Sequence, residues 1–240
     1  MALCFYSHIF NRAAVTFAEG IESQNVVGYQ EFALNEGFGM TTPTFAPTAG
    51  TSISLQSLIP TGAGVGGYGD IVVQTMDEEG NWAGEYAWWT EENLGSPNGW
   101  YDTSMTITEG TIDYKEGMFV QAPAQTKFTY SGSVTKGTIE TDLPMGFSMT
   151  GNATPIAVNI QSIIPAGDGV GGYGDVVIQT MNSAGEWAGE YAWWTEENLG
   201  SPDGWYDADL NPASISIQPG EGVFVQTSAE NVKFTYPGAL

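Results

Sequence analysis

The chain has 240 residues, enough for one large or two ordinary domains, and its 32 glycines, 12 prolines and 12% aromatic content exclude disorder and favour many short strands. Its formal net charge is −23, with 28 acidic side chains set against Arg12, Lys115, Lys127, Lys136 and Lys233. Too few cations are present to displace the counterions around phosphates, anionic membranes are repelled, and no apolar run reaches the length of a span, so neither nucleic acid nor membrane insertion is expected.

Cys4 and His8 lie in the first ten residues and no other Cys or His follows. Residues 25–240 therefore hold no disulfide, Cys/His zinc site, thiol nucleophile or histidine base. Residues 1–24 read as an export-signal-like or disordered segment. Ala14-Val15-Thr16-Phe17-Ala18 before Glu19 carries small residues at −3 and −1 of a signal-peptidase site, but no basic segment opens the chain. A degenerate or truncated signal peptide implies a secreted or cell-surface protein.

In chain order, alternation and turn residues predict strands near 25–34 and 38–46. Ile53–Ile59, ended by Pro60, is ambiguous between a strand and a helical turn. Two glycine strings, Gly62-x-Gly64-x-x-Gly67 and Gly167-x-Gly169-x-x-Gly172, match a dinucleotide fingerprint in spacing, but a β-run follows each instead of a helix, and Asp70 would repel pyrophosphate. Strands are next predicted near 70–76 and 82–90, then 105–108, 117–121 and 126–131. A second series is predicted near 134–143, 147–150, 175–181, 187–195, 214–217, 222–226 and 231–236.

The second series repeats the first. Residues 66–102 recur at 171–207 with 30 of 37 positions identical. Four of the seven differences fall at 77, 78, 79 and 81, around a glycine-containing loop, and Ile71/Val176 with Val73/Ile178 exchange volume on one strand face. The last, Asn98/Asp203, lies in a Ser-Pro-Asn/Asp-Gly turn. The expected fold is all-β: a tandem pair of homologous small β-sandwich or partly open barrel domains, copy 1 at 25–133 and copy 2 at 134–240, packed closely or sharing a strand boundary because no long linker separates them.

Further short motifs recur in order: Gly37-Phe38, Gly99-Trp100-Tyr101-Asp102, Glu116-Gly117-Met118-Phe119-Val120 and Phe128-Thr129-Tyr130-Ser131-Gly132-Ser133-Val134, then Leu143-Pro144-Met145-Gly146-Phe147-Ser148 and Glu221-Gly222-Val223-Phe224-Val225. This order resembles a family of exported bacterial β-modules with a Gly-Glu-Gly-Phe-Phe-Val-like strand and a Thr-Phe-x-Gly-x-Val strand running into Pro-x-Gly-Phe-Ser. The resemblance covers nearly all of residues 25–240. It implies export and a β fold and brings no catalytic residues.

The tryptophans are the main functional lead. Strict alternation along 82–90 puts Trp82, Tyr86 and Trp88 on one face and Glu85, Ala87 and Trp89 on the other. With the first face as core, Trp89 and Trp194 are expected outside, beside Glu85 and Glu190, where an indole next to a carboxylate suits a sugar ring. Trp100 and Trp205 join them as candidate ligand or interface residues; the alternative is that all these rings fill the core or a contact between copies or subunits. Calcium is the one candidate cofactor, at clustered oxygens such as Asp168 with Asp175 or Asp207 with Asp209. The pairs Glu91-Glu92 and Glu196-Glu197, near Asp102 and Asp207, are the only catalytic candidates; adjacent glutamates in a strand point to opposite faces, so an acid–base pair would need two segments. The expectation is a non-catalytic, exported protein that works by surface contact, as a cell-surface, matrix or self-associating module, with other subunits or surface glycans as partners. A bivalent carbohydrate-binding protein is the alternative and a glycan-active enzyme the third reading.

Overall fold

Period-two patterning becomes strand along the chain. In Thr126–Ser133, Thr126, Phe128 and Tyr130 are buried while Lys127 and Thr129 sit at the half-exposed positions between them. The computed structural model describes residues 27–63, 65–77, 79–172 and 174–239, so the expected export segment lies outside the described residues. The first series of elements is β1 Val27–Leu34, β2 Gly37–Thr41, β3 Ser52–Ser54, β4 Thr61–Gly62, β5 Tyr68–Met76, β6 Trp82–Trp89, the one-turn helix α1 Glu91–Leu94, β7 Gly99–Asp102, β8 Thr111–Asp113, β9 Met118–Ala122 and β10 Thr126–Ser133. The second is β11 Thr138–Leu143, β12 Gly146–Gly151, β13 Val158–Asn159, β14 Ile164–Asp168, β15 Val176–Met181, β16 Trp187–Trp194, α2 Glu196–Leu199, β17 Gly204–Tyr206, β18 Ser216–Ile217, β19 Gly222–Thr227 and β20 Glu230–Pro237. The protein is all-β.

The strands form two five-stranded sheets, β2-β9-β5-β6-β7 and β12-β19-β15-β16-β17, two three-stranded sheets, β1-β10-β4 and β11-β20-β14, and two short ribbons, β3-β8 and β13-β18. None closes into a barrel. Each five-stranded sheet packs on the three-stranded sheet of its own series. Val73, Val120 and Trp100 from one layer meet Phe128 and Tyr130 from the other, and Ile178, Val225 and Trp205 meet Phe234 and Tyr236. Trp100 and Trp205 are fully buried at these centres, and their indole N–H groups donate to Leu58 O at 2.8 Å and Ile163 O at 2.7 Å. A buried indole needs such a partner, and the chain supplies it from the segment just before β4 or β14.

Several boundaries differ from the sequence expectation. The 38–46 strand stops at Thr41; beyond it the Thr42 N–H donates to Gly220 O at 3.0 Å in the second series, and Ala46 makes a single bridge to Ser133 of its own. Ile53–Ile59 is divided, with β3 followed by a 3-10 turn at Leu55–Ser57. Glu91–Leu94 and Glu196–Leu199 are helical, each closed by a left-handed glycine. No strand forms at 105–108, where Ile107 makes a single bridge to Tyr101, and 214–217 shrinks to Ser216–Ile217.

The two series meet at a reciprocal seam. Thr41 bridges Glu221 and, at the matching positions of the repeat, Thr150 bridges Glu116. Thr41 Oγ1 donates to Gly220 O at 2.9 Å, and Thr150 Oγ1 donates to Lys115 O at 2.8 Å. When position i of one half meets position j of the other and j meets i, the contact has the logic of a twofold interface. Each long hairpin crosses the same seam: a Cβ on Gly80 would overlap the Phe147 carbonyl oxygen, and one on Gly185 would overlap that of Phe38.

Candidate functional site

The outer face of each five-stranded sheet carries an aromatic cluster. In β9, Met118 and Val120 point into the core, so Phe119 between them points out. Phe38 on β2 stacks on it, with ring centroids 5.4 Å apart and planes 25° apart. Trp82, at the start of β6, meets Phe119 edge-on at 6.2 Å and 70°. The second half repeats the arrangement: Phe147 stacks on Phe224 at 5.3 Å and Trp187 meets Phe224 at 5.8 Å. Trp82 and Trp187 are each 58% exposed, and Phe38 and Phe147 are also exposed.

A β-bulge puts Trp82 there. Thr75 pairs with Gly84 but Met76 pairs with Trp82, so Ala83 is an extra residue on β6 and reverses the alternation beyond it. The same shift occurs between Thr180–Gly189 and Met181–Trp187. The strict alternation expected from the sequence fails at this point, and Trp82, assigned to the core face, is a surface residue. Past the bulge the alternation holds, and Glu85 lies on the outer face as expected. Phe119, Gln74 and Glu85 stand in one cross-strand row; Gln74 Nε2 donates to Glu85 Oε2 at 2.8 Å, and Gln179 Nε2 to Glu190 Oε2 at 2.9 Å. Each cluster is therefore bordered by a carboxylate and a carboxamide that together offer donors and acceptors.

The remaining sequence candidates fall elsewhere. Trp89 and Trp194 are half-buried with their indole nitrogens out of contact with solvent, and Trp89 packs under Tyr68 with centroids 6.2 Å apart. Trp100 and Trp205 have no exposed surface and belong to the core, since β7 and β17 pair with their sheets on the inner row, against Trp88 and Trp193. Of the six singled out, the structure leaves Glu85 and Glu190 beside exposed rings. What alternation missed was Phe38, Phe119 and Trp82 and their counterparts. The Met118-Phe119-Val120 pattern already implied an outward phenylalanine; the bulge had only the weak signal of Gly84 beside Ala83.

The acidic candidates serve turns. Asp207 Oδ1 accepts the N–H groups of Asp209 and Asn211, both at 2.9 Å, and Asp102 Oδ1 accepts those of Ser104 and Thr106, also at 2.9 Å. Asp175 Oδ1 receives the Ser228 hydroxyl at 3.2 Å, and Asp168 Oδ2 lies 3.4 Å from Asn231 Nδ2. Among the described residues no three His, Cys, Asp or Glu side chains converge as metal ligands. Glu91 and Glu92 open a helix instead of lying in a strand, where the Glu91 N–H donates to Asn98 Oδ1 at 2.6 Å. Asp203 does the same for Glu196 at 2.7 Å, which explains why Asn and Asp interchange at this position of the repeat.

No helix among the described residues is long and apolar enough to cross a membrane. No protein-family model, curated protein or solved structure matches the chain.

Proposed function

We propose that this chain is a non-catalytic, exported contact protein, a tandem pair of homologous β-modules that holds other molecules through two matching aromatic faces. The observation that carries this reading is the recurrence, on both five-stranded sheets, of a Trp–Phe–Phe cluster at the same register, in which the tryptophan and one phenylalanine are exposed and the other phenylalanine is half-buried. Exposing large rings costs solubility unless they meet something, and doing so twice gives one chain two points of attachment. The acidic turns support a binding reading over a catalytic one, because the carboxylates of Asp102 and Asp207 are engaged by their own loops.

The test is to fractionate producing cells that carry either the native gene or one encoding Trp82→Ala with Trp187→Ala. Native protein is expected in the cell-surface or matrix fraction, with its N-terminus cleaved, and the double variant in the medium. An intact Met1 on cytoplasmic protein would end the export reading. Equal retention of the two forms would end the role of the aromatic faces.

A further inference from the structure

We infer that each aromatic cluster is a binding subsite for uncharged glycan chains, with Trp82 and Phe38 in one half and Trp187 and Phe147 in the other presenting ring faces to the sugar; this rests on the contact reading above and names its ligand. The geometry suits a pyranose. Phe119 forms a floor with Phe38 stacked along it, and Trp82 stands at 70° to Phe119 as a wall. A flat apolar ring face next to a steep one forms a corner that takes the C–H face and edge of a sugar. At its border the Gln74–Glu85 pair supplies the carboxylate oxygens and amide N–H needed by hydroxyl groups, which are both donors and acceptors. The second half repeats each part with Phe224, Phe147, Trp187 and the Gln179–Glu190 pair.

Charge decides against anionic polymers. β2, β5, β6 and β9 contain no lysine or arginine, nor do β12, β15, β16 and β19, in a chain of net charge −23. Lys127 is held by Glu31 at 2.6 Å, and Lys233 by Glu140 at 3.1 Å, so these cations are engaged within the fold. A uronate or sulfated chain would meet repulsion and no counter-charge. Area decides against a second protein copy. The two half-exposed rings of one cluster offer on the order of 200 Å², and both clusters together about half of the roughly 800 Å² that each partner buries in a stable protein interface, and Glu85 with Gln74 and Gln121 makes the surround polar. A sugar ring needs no more than this area, and two such sites on one chain give avidity along a polysaccharide.

The experiment is adsorption of the full-length protein to microcrystalline cellulose, chitin, starch granules and insoluble xylan, with pectate gel as an anionic control. Trp82→Ala, Trp187→Ala, the double variant and Tyr29→Ala are compared after circular dichroism shows each to be folded. Tyr29 is as exposed as these rings but lies on β1, away from both clusters, so its variant should bind as wild type does. Binding to at least one neutral polysaccharide and not to pectate is expected, with at least a tenfold weaker apparent affinity for each single variant and none measurable for the double. Binding that survives in the double variant would overturn the site. Absence of binding to every polysaccharide, with the double variant still lost from the cell-surface fraction, would overturn the glycan ligand and leave the contact reading standing. Absence of both would remove both.

Discussion

Thr41 shows how single hydroxyl groups tie the layers together. Because its Oγ1 donates to Gly220 O, it accepts from Tyr130, whose hydroxyl lies 2.7 Å away, and a hydrogen-bonded chain runs from β10 through β2 into the second half. Burial pushes Tyr130 up beyond the ordinary phenol range and its counterpart Tyr236 up to about 12, so both stay protonated as donors at any physiological pH. Thr41→Val keeps the shape and leaves the Tyr130 hydroxyl buried without an acceptor, at a cost of about 1–3 kcal/mol in urea unfolding. Adding Tyr130→Phe should recover part of that loss, and strict additivity in the double-mutant cycle would show that the two are not coupled. Glu221, at the same seam, has its carboxyl pKa raised by burial, an effect partly offset by the Gln218 N–H that it accepts. A raised carboxylate pKa means that the fold favours the protonated form: the associated stability is present below the unfolded value and is lost as pH rises through the folded one. Glu221→Gln should therefore raise the melting temperature at neutral pH, and the advantage should shrink as the pH falls through the carboxylate range. A variant that melts below wild type at pH 7 would contradict this.

At the scale of elements, the ambiguous stretch before β4 is settled by Gln56. Its Nε2 donates to Trp100 O at 2.7 Å and Thr108 O at 3.0 Å, and its Oε1 accepts the Trp100 N–H at 3.1 Å. Gln161 repeats all three bonds with Trp205 and Ala213. A side chain here does the work of a missing strand partner, and the backbone turns through a 3-10 turn to bring it in. Gln56→Leu removes three backbone partners and should cost about 2–4 kcal/mol in chemical denaturation; a loss below that range would mean water replaces the bracket. The hairpin tips obey local rules as well as distant ones. Asp77 Oδ1 accepts the N–H groups of Asn81 and Glu79, which lower its pKa, and Asn182 Oδ1 accepts those of Glu186 and Ala184, so the Asp/Asn difference between copies keeps the turn. Gly185, at φ 77, must also clear the Phe38 carbonyl, whereas Gly95, at φ 71, has open space around it. Alanine at Gly95 should cost about 1–2 kcal/mol for its left-handed backbone, and alanine at Gly185 measurably more. Equal losses in thermal unfolding would mean that the tip does not press on the other half.

Across the whole molecule, charge works against compaction. The net charge is −23, and the described ion pairs bring together only Lys127 with Glu31, and Lys233 with Glu140 and Asp142. Raising NaCl from about 0.01 M to about 1 M shortens the screening length from roughly 30 Å to 3 Å, and should raise the melting temperature by relieving self-repulsion. An unchanged melting temperature in a salt titration would show that the acidic groups are spaced widely enough to ignore one another. The reciprocal seam places this repulsion between halves that are also held by Thr41, Thr150 and the two hairpin tips, so substitutions there should move the transition of the entire chain.

The sequence by itself determined the β class, the recurrence of the strand series and the acidic, cation-poor surface, because alternation, turn chemistry and composition are local properties that each stretch carries with it. Glu85 and Glu190 were placed correctly on the outer face for the same reason. Only the tertiary structure decided that Trp82 and Trp187 are exposed while Trp100 and Trp205 fill the core. Facing is inherited along a strand until the pairing register slips by one residue, and that slip exists only in the pairing with a partner strand, between Thr75 and Met76 of β5 and between Thr180 and Met181 of β15. The meeting of the two halves through Thr41 and Glu221 lies equally beyond local pattern, since it joins residues 180 positions apart that no periodicity relates.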